Sequence, residues 1–495
     1  MKTPDRPPIR TTLDPVLRAL VPRDHELLAI KRLVDWEALD ALLDPYYADV
    51  GRPAYPALRM VRALMVKTWA DLPDERLELE LRCNLLYREF VGVGLTEPTP
   101  DKDTLADFRN RLGDEGIDAL FVGVNRQLDG LGLIGKDRRV LDGVHLLARV
   151  AHRSIAELIR TGIERVLDAV AEGDTALAMR LERGLRELHT EPQPESPRPE
   201  ASAARMRATW LLAEAEPHAD AHLRAALDDL RAVAREEDRQ VSFVDRDARW
   251  GHKRKDFAFL GYKVHESMDP DSRLTTAVEV VPGNTHEGVR TGALLDVETV
   301  PLNDNAAVIG DSLYNNATTI EQVRERGLTP HFVAMKARVL ADDFTYDVAL
   351  DRLTCRAGRH SIGKTRLKSC AGDQYYFSTR DCRACEHAET CLTIGEREGS
   401  AMPRRRVALT DARKVQQAAG ETHHQQMKVR SRIEPKFDEQ MNRHGLRRAR
   451  YVGLRRVRAQ VLWTVVVVNL KRAARLLAGR ARMPTLVAPS REEAA

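Results

Sequence analysis

Apolar and polar positions change rhythm several times along the chain. Up to about residue 130 the period is helical: in "PALRMVRALMVKTWA", Leu58, Val61, Leu64 and Met65 fall on one stripe. The stretch "TPDKDTLADFRNRLGDEGIDALFVGVNRQLDGLGL" opens on a Thr/Asp cap and sets Leu105, Phe108 and Leu112 on one face. Such a region predicts either a DNA-reading module or a helical packing domain. The rhythm then switches to alternation in "RRVLDGVHLLARV". Val140, Asp142, Val144 and Leu146 alternate with Leu141, Gly143 and His145, which predicts a strand with an acid inside it.

Residues 150 to 240 return to the helical period, broken by the linker "TEPQPESPRPEAS", and read as an inserted helical subdomain. Strands resume in "FAFLGYKVHESM" and "RLTTAVEVVP", joined through the turn-forming "DPDS". A helix from about His286 to Glu298 leads to "AAVIG", a short apolar strand that ends on Asp311, with Asn315 and Asn316 as caps for the next helix. "HFVAMKA" is the following strand. The order predicts an α/β domain, a mixed sheet with helices on its faces. Between 340 and 410 the pattern breaks into cysteines, glycines and short β-like pieces. From "ETHHQQMK" to "LKRAARLL" it is mostly helical, and the tail from residue 481 reads as disordered.

Composition narrows the classes. A hydrophobic content of 43% and a charged content of 31% are those of a water-soluble globular protein. No segment has the build of a signal peptide, and the run "VLWTVVVV" is far shorter than the roughly 20 residues of a membrane span. The expected location is the cytoplasm, at the nucleoid. Net charge is only +4, so the uneven spread of charge matters more than its sum. Five of six cysteines fall between Cys355 and Cys391, which suggests metal before disulfides.

Asp142 and Asp311 are the candidate chemistry. A mid-strand aspartate is costly to bury unless it is paired or metal-bound, and chemistry in open α/β sheets sits beyond the carboxyl ends of strands. Neighbouring strands would bring the two acids together, and hard divalent ions favour such oxygen ligands. Glu434, on the late helix, is the candidate third acid. Asp245 and Asp247 in "VDRDARW" form a competing pair, read as structural.

The trio, with its surroundings, resembles the DDE triad of bacterial insertion-sequence transposases. "VLDGVHLLA", "GYKVHESMD", "VVPGNTHEG" and "VIGDSLYNN" carry the likeness, together with the segment running from "RSRIEPKFDEQMNRHGLRRAR" to "LKR". It extends from about residue 50 to 478. The resemblance implies a ribonuclease H-like catalytic domain over residues 131–480, interrupted at 150–240 and 340–410, behind a DNA-end-binding helical domain over residues 1–130. It implies Mg²⁺ or Mn²⁺ held by Asp142, Asp311 and Glu434. The partners would be double-stranded DNA (terminal inverted repeats and target), with a homodimer or larger assembly on it. The family signature of Tyr, Arg, Glu and Lys around the third acid keeps Arg430 and Glu434 but has Met427 and Met441 in the Tyr and Lys positions. Arg443 is the candidate replacement cation, and Pro435 predicts either a helix start or a kink. A DNA-binding regulator derived from a transposase, with impaired catalysis, is the competing reading.

"GRHSIGKT" matches a phosphate-binding loop, but the residues after it are β-like rather than helical, so chance accounts for it. Cys382, Cys385 and Cys391 predict a structural zinc site. Cys355 is the preferred fourth ligand, because the resemblance places a cysteine there, with Cys370, His360 and His387 as rivals. Candidate DNA contacts are Lys263, Arg430, Arg443, Arg447, Arg448, Arg450 and Arg455, whose density suits phosphate contact. Trp250 to Asp256 and Lys336 are lesser candidates.

Overall fold

The computed structural model describes residues 1–482 except 10, 13–14, 16–18, 49, 51–52, 151–153, 189–198, 236–240, 255–256, 334–343, 368–371, 393–403, 412 and 415–420. Among the described residues, six α-helices from Glu26 onward precede the first strand: α1 (Glu26–Leu33), α2 (Trp36–Ala41), α3 (Ala57–Trp69), α4 (Asp74–Cys83), α5 (Leu85–Val91) and α6 (Lys102–Gly130). Caps fix their starts. Asp101 accepts from the Thr104 N–H at 2.7 Å before α6, and Asn84 accepts from the Tyr87 N–H at 3.2 Å before α5.

β1 (Arg138–Leu147) begins a six-stranded mixed sheet with β2 (Arg249–Arg254), β3 (Phe257–Asp269), β4 (Leu274–Pro282), β5 (Ala307–Gly310) and β6 (Thr329–Phe332). β3 lies antiparallel to β1, while β5 runs parallel to β1 and β6 parallel to β5. β2 and β4 share the outer edge of β3, one at each end. The β3–β4 hairpin turns where expected. Asp269 accepts from the Ser272 hydroxyl at 2.6 Å and braces the tight loop.

Alternation along the strands gives each face its own cover. Leu141, Ala277 and Val308 point to one face and pack with α11 (Thr291–Asp296) and α12 (Ala317–Arg324) through Leu294, Leu295, Ile320 and Val323. Val140, Met268, Ala307 and Ile309 point to the other, where Val429, Ile433 and Phe437 cover them. Beyond them on that face, Val144 and Val264 meet α17 (Leu454–Arg482). The valine run lies inside α17 and is buried all round, from Val461 at 0% to Val468 at 2% exposure. That is how a helix apolar on every side must sit. α17 packs on α6, α3, α1 and β4, so one continuous core joins the N-terminal helices to the sheet.

Between β1 and β2 stand α7 (Ile155–Gly173), α8 (Thr175–Glu187), α9 (Pro199–Ala215) and α10 (Ala221–Ala234). They bury Ile159, Val166, Leu181, Leu211, Leu227 and Leu230 against one another in a core of their own. The cysteine-bearing stretch forms two small sheets. β7 (Phe344–Asp347) pairs with β8 (Arg352–Cys355), and β9 (Gly363–Arg366) with β10 (Gly372–Tyr376) and β11 (Arg406–Thr410). Two short helices, α13 (Thr379–Arg383) and α14 (Ala388–Cys391), complete it. α15 (Glu421–Lys428), a 3₁₀ turn (Arg430–Ile433) and α16 (Glu434–Arg443) then lead to α17. Pro435 stands in the first turn of α16, where its missing N–H costs nothing. A helix start, not a kink, is the outcome. The predicted tail from residue 483 onward, Cys370, Lys336 and most of the Pro/Glu linker lie outside the described residues.

Candidate active site

Sheet register brings the two aspartates together. β1 pairs with β5 through Arg138↔Ala307, Arg139↔Val308 and Val140↔Ile309. Continued by two residues, the same register sets Asp142 opposite Asp311, which follows Gly310 at the carboxyl end of β5. Gly310 fits tightly there: a Cβ would stand 3.0 Å from the rings of both Phe332 and Tyr314, so one of them would have to give way. Period-two alternation puts Asp142 on the face of Val140, and Ile309 shares that face. The segment that covers it carries Val429, Ile433 and Phe437 at four-residue spacing, packed on Val140 and Ile309. Arg430 and Glu434, one residue further on in each turn, lie along the edge of this contact, and the 3₁₀ turn itself touches β1. Glu434 therefore comes to the same side of the sheet as both aspartates. Its side chain is 61% exposed, 3.8 Å from Arg430.

The edge of β1 that meets β5 changes partner along its length. Past Asp142, at Leu147, that edge is taken by the returning chain: the Leu147 N–H donates to the Arg447 carbonyl at 3.1 Å, and the Ala449 N–H to the Leu147 carbonyl at 2.7 Å. Between β5 and this bridge, Asp142 to His145 have no strand partner on that edge among the described residues. The aspartates thus sit in a notch of the sheet, with the segment that carries Glu434 covering the same face and Arg447 and Arg448 on the far lip.

Electrostatics mark the notch as short of positive charge. Burial, first, and the nearby Asp311 and Glu287 push the Asp142 carboxyl up to about 7, against the pull of the Gly143 N–H and Arg430. Each aspartate commits one oxygen locally: Asp142 Oδ1 accepts from the Gly143 N–H at 2.8 Å, Asp311 Oδ1 from the Leu313 N–H at 2.8 Å. Glu287, which the pattern of the sequence did not single out, feels Asp311 as well, and its carboxyl is raised chiefly by burial. Its only signal was its place in "VVPGNTHEG", a stretch that carries the family likeness.

The candidate DNA contacts divide into two groups. Lys263 turns to the Thr285 carbonyl at 2.9 Å and to Glu287 at 3.5 Å. Arg450 donates to the Leu72 carbonyl at 2.6 Å and pairs with Asp71, and Arg455 pairs with Asp114 at 2.8 Å. Those three tie the fold together. Arg447 donates to Asn442 at 2.8 Å, and with Arg443 and Arg448 it is exposed on the side of the notch. Asp245 and Asp247 take structural posts: Asp245 accepts from the Tyr262 hydroxyl, and Asp247 from the Leu454 N–H at 2.7 Å, capping α17.

Cys355, Cys382, Cys385 and Cys391 line one small cavity with Phe344, Phe377 and Leu392, while His360 and His387 do not. The described cysteines are free thiols. Burial raises the thiols of Cys382 and Cys391, and the Arg405 N–H points at the Cys382 sulfur from 3.5 Å. Among the described residues no three His, Cys, Asp or Glu side chains close to ligation distance as placed, here or in the notch. In "GRHSIGKT" the residues from Gly363 enter β9 instead of a helix, and Lys364 pairs with Asp351. The structural condition for a phosphate loop is not met.

A mixed sheet flanked by helices, with one acid inside a strand and another just past the end of its parallel neighbour, is the ribonuclease H-like arrangement. Two families match the chain: "Transposase domain (DUF772)" over residues 15–111 and "Transposase DDE domain" over residues 227–470. The chain belongs to the insertion-sequence DDE transposases, enzymes that act on DNA. No solved structure matches it. Among the described residues no helix is long and apolar enough to cross a membrane.

Proposed function

We propose that this transposase cleaves the phosphodiester backbone at the ends of its mobile element and transfers the freed strands into target DNA, with Asp142, Asp311 and Glu434 as its catalytic carboxylates. The observation that carries the reading is the shared notch: two aspartates opposed across parallel strands, and a glutamate brought to the same sheet face by Val429, Ile433 and Phe437. DDE transposases generally work with divalent metals. An all-oxygen donor set suits Mg²⁺ or Mn²⁺, and a carboxyl that burial and the neighbouring acids hold at about 7 fits such an ion. When bound, the ions would neutralise charge on the phosphate and activate the attacking oxygen.

The chain's own groups do the positioning. Asp142 and Asp311 hold the reaction centre from below and Glu434 from above. Arg430 sets the Glu434 carboxylate through their ion pair. Arg443, Arg447 and Arg448 take phosphates along the lip of the notch, which gives affinity without sequence information. The helices within residues 1–130 read the inverted repeats, and two copies hold the two ends. Cys355, Cys382, Cys385 and Cys391 hold a structural zinc ion, since thiolates suit zinc and a closed set of four leaves no catalytic position.

Asp311→Ala tests the reading on matched inverted-repeat DNA with Mg²⁺. Cleavage should vanish while end binding persists, and unchanged cleavage would overturn the triad. End binding without nicking by the wild-type chain would instead favour the impaired regulator, the role that Met427 and Met441 first suggest.

A further inference from the structure

A second carboxylate stands beside Asp142 on the same sheet face. The β1–β3 register pairs Asp142 with Glu266, and directly opposed residues project to one side. Glu266 is 0% exposed, so no substrate or solvent ion reaches it. Two carboxylates opposed in a ladder repel, and a buried one needs a counter-charge. The chain supplies that cation from the helix that starts at Glu434. Lys436 is 4% exposed, and it is linked to Glu266 through buried hydrogen bonds instead of a direct ion pair.

A hydrogen-bonded relay joins the two. Lys436 Nζ donates to Asn469 Oδ1 at 2.7 Å and to the Arg273 carbonyl at 3.1 Å. The same Asn469 oxygen accepts from the Thr275 N–H at 3.0 Å, and the Thr275 hydroxyl donates to Glu266 Oε2 at 2.6 Å. Gln440, one turn after Lys436 on α16, is buried beside the same carboxylate. The relay reaches back to the N-terminal helices, because Asn469 Nδ2 donates to Asn125 Oδ1 at 3.0 Å. These contacts converge from α16, β3, β4, α17 and α6 at one point under the notch.

We propose that Glu266 and Lys436 are positioning residues: the buried relay that links them through Asn469 and Thr275 locks α16 onto β3 and so sets Glu434 over Asp142. Neither touches substrate. The inference rests on the three-carboxylate reading above. Its physical content is that the order of the third carboxylate depends on a lysine two residues away that faces the opposite direction, into the core. Supporting contacts behind metal ligands commonly change metal affinity ten- to a hundredfold.

The test is a Mn²⁺ titration of the metal-free full-length protein, followed by electron paramagnetic resonance, beside cleavage against Mg²⁺ and DNA-end binding. Lys436→Met should raise the half-saturating Mn²⁺ about tenfold or more and shift the Mg²⁺ dependence alike, with end binding unchanged. The double variant Glu266→Gln/Lys436→Met keeps both shapes without either charge and should return the Mn²⁺ affinity to within about threefold of wild type. Wild-type Mn²⁺ affinity in Lys436→Met, or a double variant no better than the single, overturns the proposal. If Lys436→Met fails to fold, the double variant decides: near-normal metal binding supports the pair, while insolubility or weak binding sinks it. Glu434→Gln, run in parallel, separates the two levels. Full metal binding and cleavage there would defeat the triad itself, whereas its loss beside an unaffected Lys436→Met defeats the positioning role alone.

Discussion

The carboxylate notch and the cysteine cavity are built on opposite plans. In the notch, two aspartates from remote parts of the chain stand on adjacent strands, and Glu434, 61% exposed, is carried on the segment that covers the same sheet face. In the cavity, four thiols close together in sequence are enclosed by Phe344, Phe377 and Leu392. In the roles proposed for them, hard oxygen ligands on an open surface would leave room for a phosphate and its ions, whereas soft ligands in an apolar shell would leave room for a metal alone. The difference teaches that openness, as much as ligand type, separates a site for chemistry from a site for stability.

The largest effect that would break this contrast belongs to the notch. Asp142→Asn keeps the shape and removes one carboxylate, and single-turnover nicking of end DNA should fall roughly 10³-fold or more. A loss below about tenfold would remove Asp142 from the reaction centre. The cavity should respond in the opposite sense. Cys385→Ser is expected to abolish a zinc content of about one per chain, measured by plasma mass spectrometry, and to lower the onset of thermal unfolding. Nicking should change less than about tenfold, and a larger loss with the fold intact would make the cavity catalytic.

A third effect, on stability, depends on pH. Burial holds the Asp142 carboxyl at about 7 in the folded chain, whereas in an unfolded chain it titrates near 4 (about 3.9). The folded, metal-free protein therefore keeps a proton that the unfolded chain has released. The stability this proton contributes is complete below about pH 4 and is lost as the pH climbs through about 7. Relative to Asp142→Asn, metal-free wild type should lose ~3 °C of thermal midpoint between about pH 5.5 and about pH 8, and Mg²⁺ should restore it at the higher pH. Parallel melting curves for the two proteins would show that Asp142 carries no such shift. The smallest effect is the sharpest check on the phosphate-loop motif. Lys364→Ala breaks an exposed pair with Asp351, so nicking should stay within about twofold and stability within about 0.5 kcal/mol. ATP-dependent activity lost in that variant would revive the motif.

Much of this was legible in the residues. Alternation in "RRVLDGVHLL" gives β1, with Asp142 on the face of Val140 and Val144, as found. The apolar run at Val461 to Val468 gives a helix with no wet side, and α17 has none there. Cysteine spacing groups Cys382, Cys385 and Cys391, and they line one cavity together with Cys355. Less legible were the basic side chains. Arg450 and Arg455 read as phosphate contacts in a dense arginine run, and the fold adds what the run could not show, that they pair with Asp71 and Asp114. A charge has no period that reveals its partner, and those partners lie hundreds of residues away. Glu287 and Glu266 stand in stretches that carry the family likeness, but nothing local marks them, since each gains its meaning only from the acids beside it.

Period, spacing and turn chemistry are short-range properties, so the sequence by itself determined the strands, most helices and the grouping of the thiols. Register between strands and the docking of α16 are long-range, because they depend on which apolar surfaces find each other in the packed core. The tertiary structure alone decided that Asp142 faces Asp311 and Glu266 at once, that Glu434 arrives on their side, and that a buried lysine from the same helix answers the carboxylate no ion can reach.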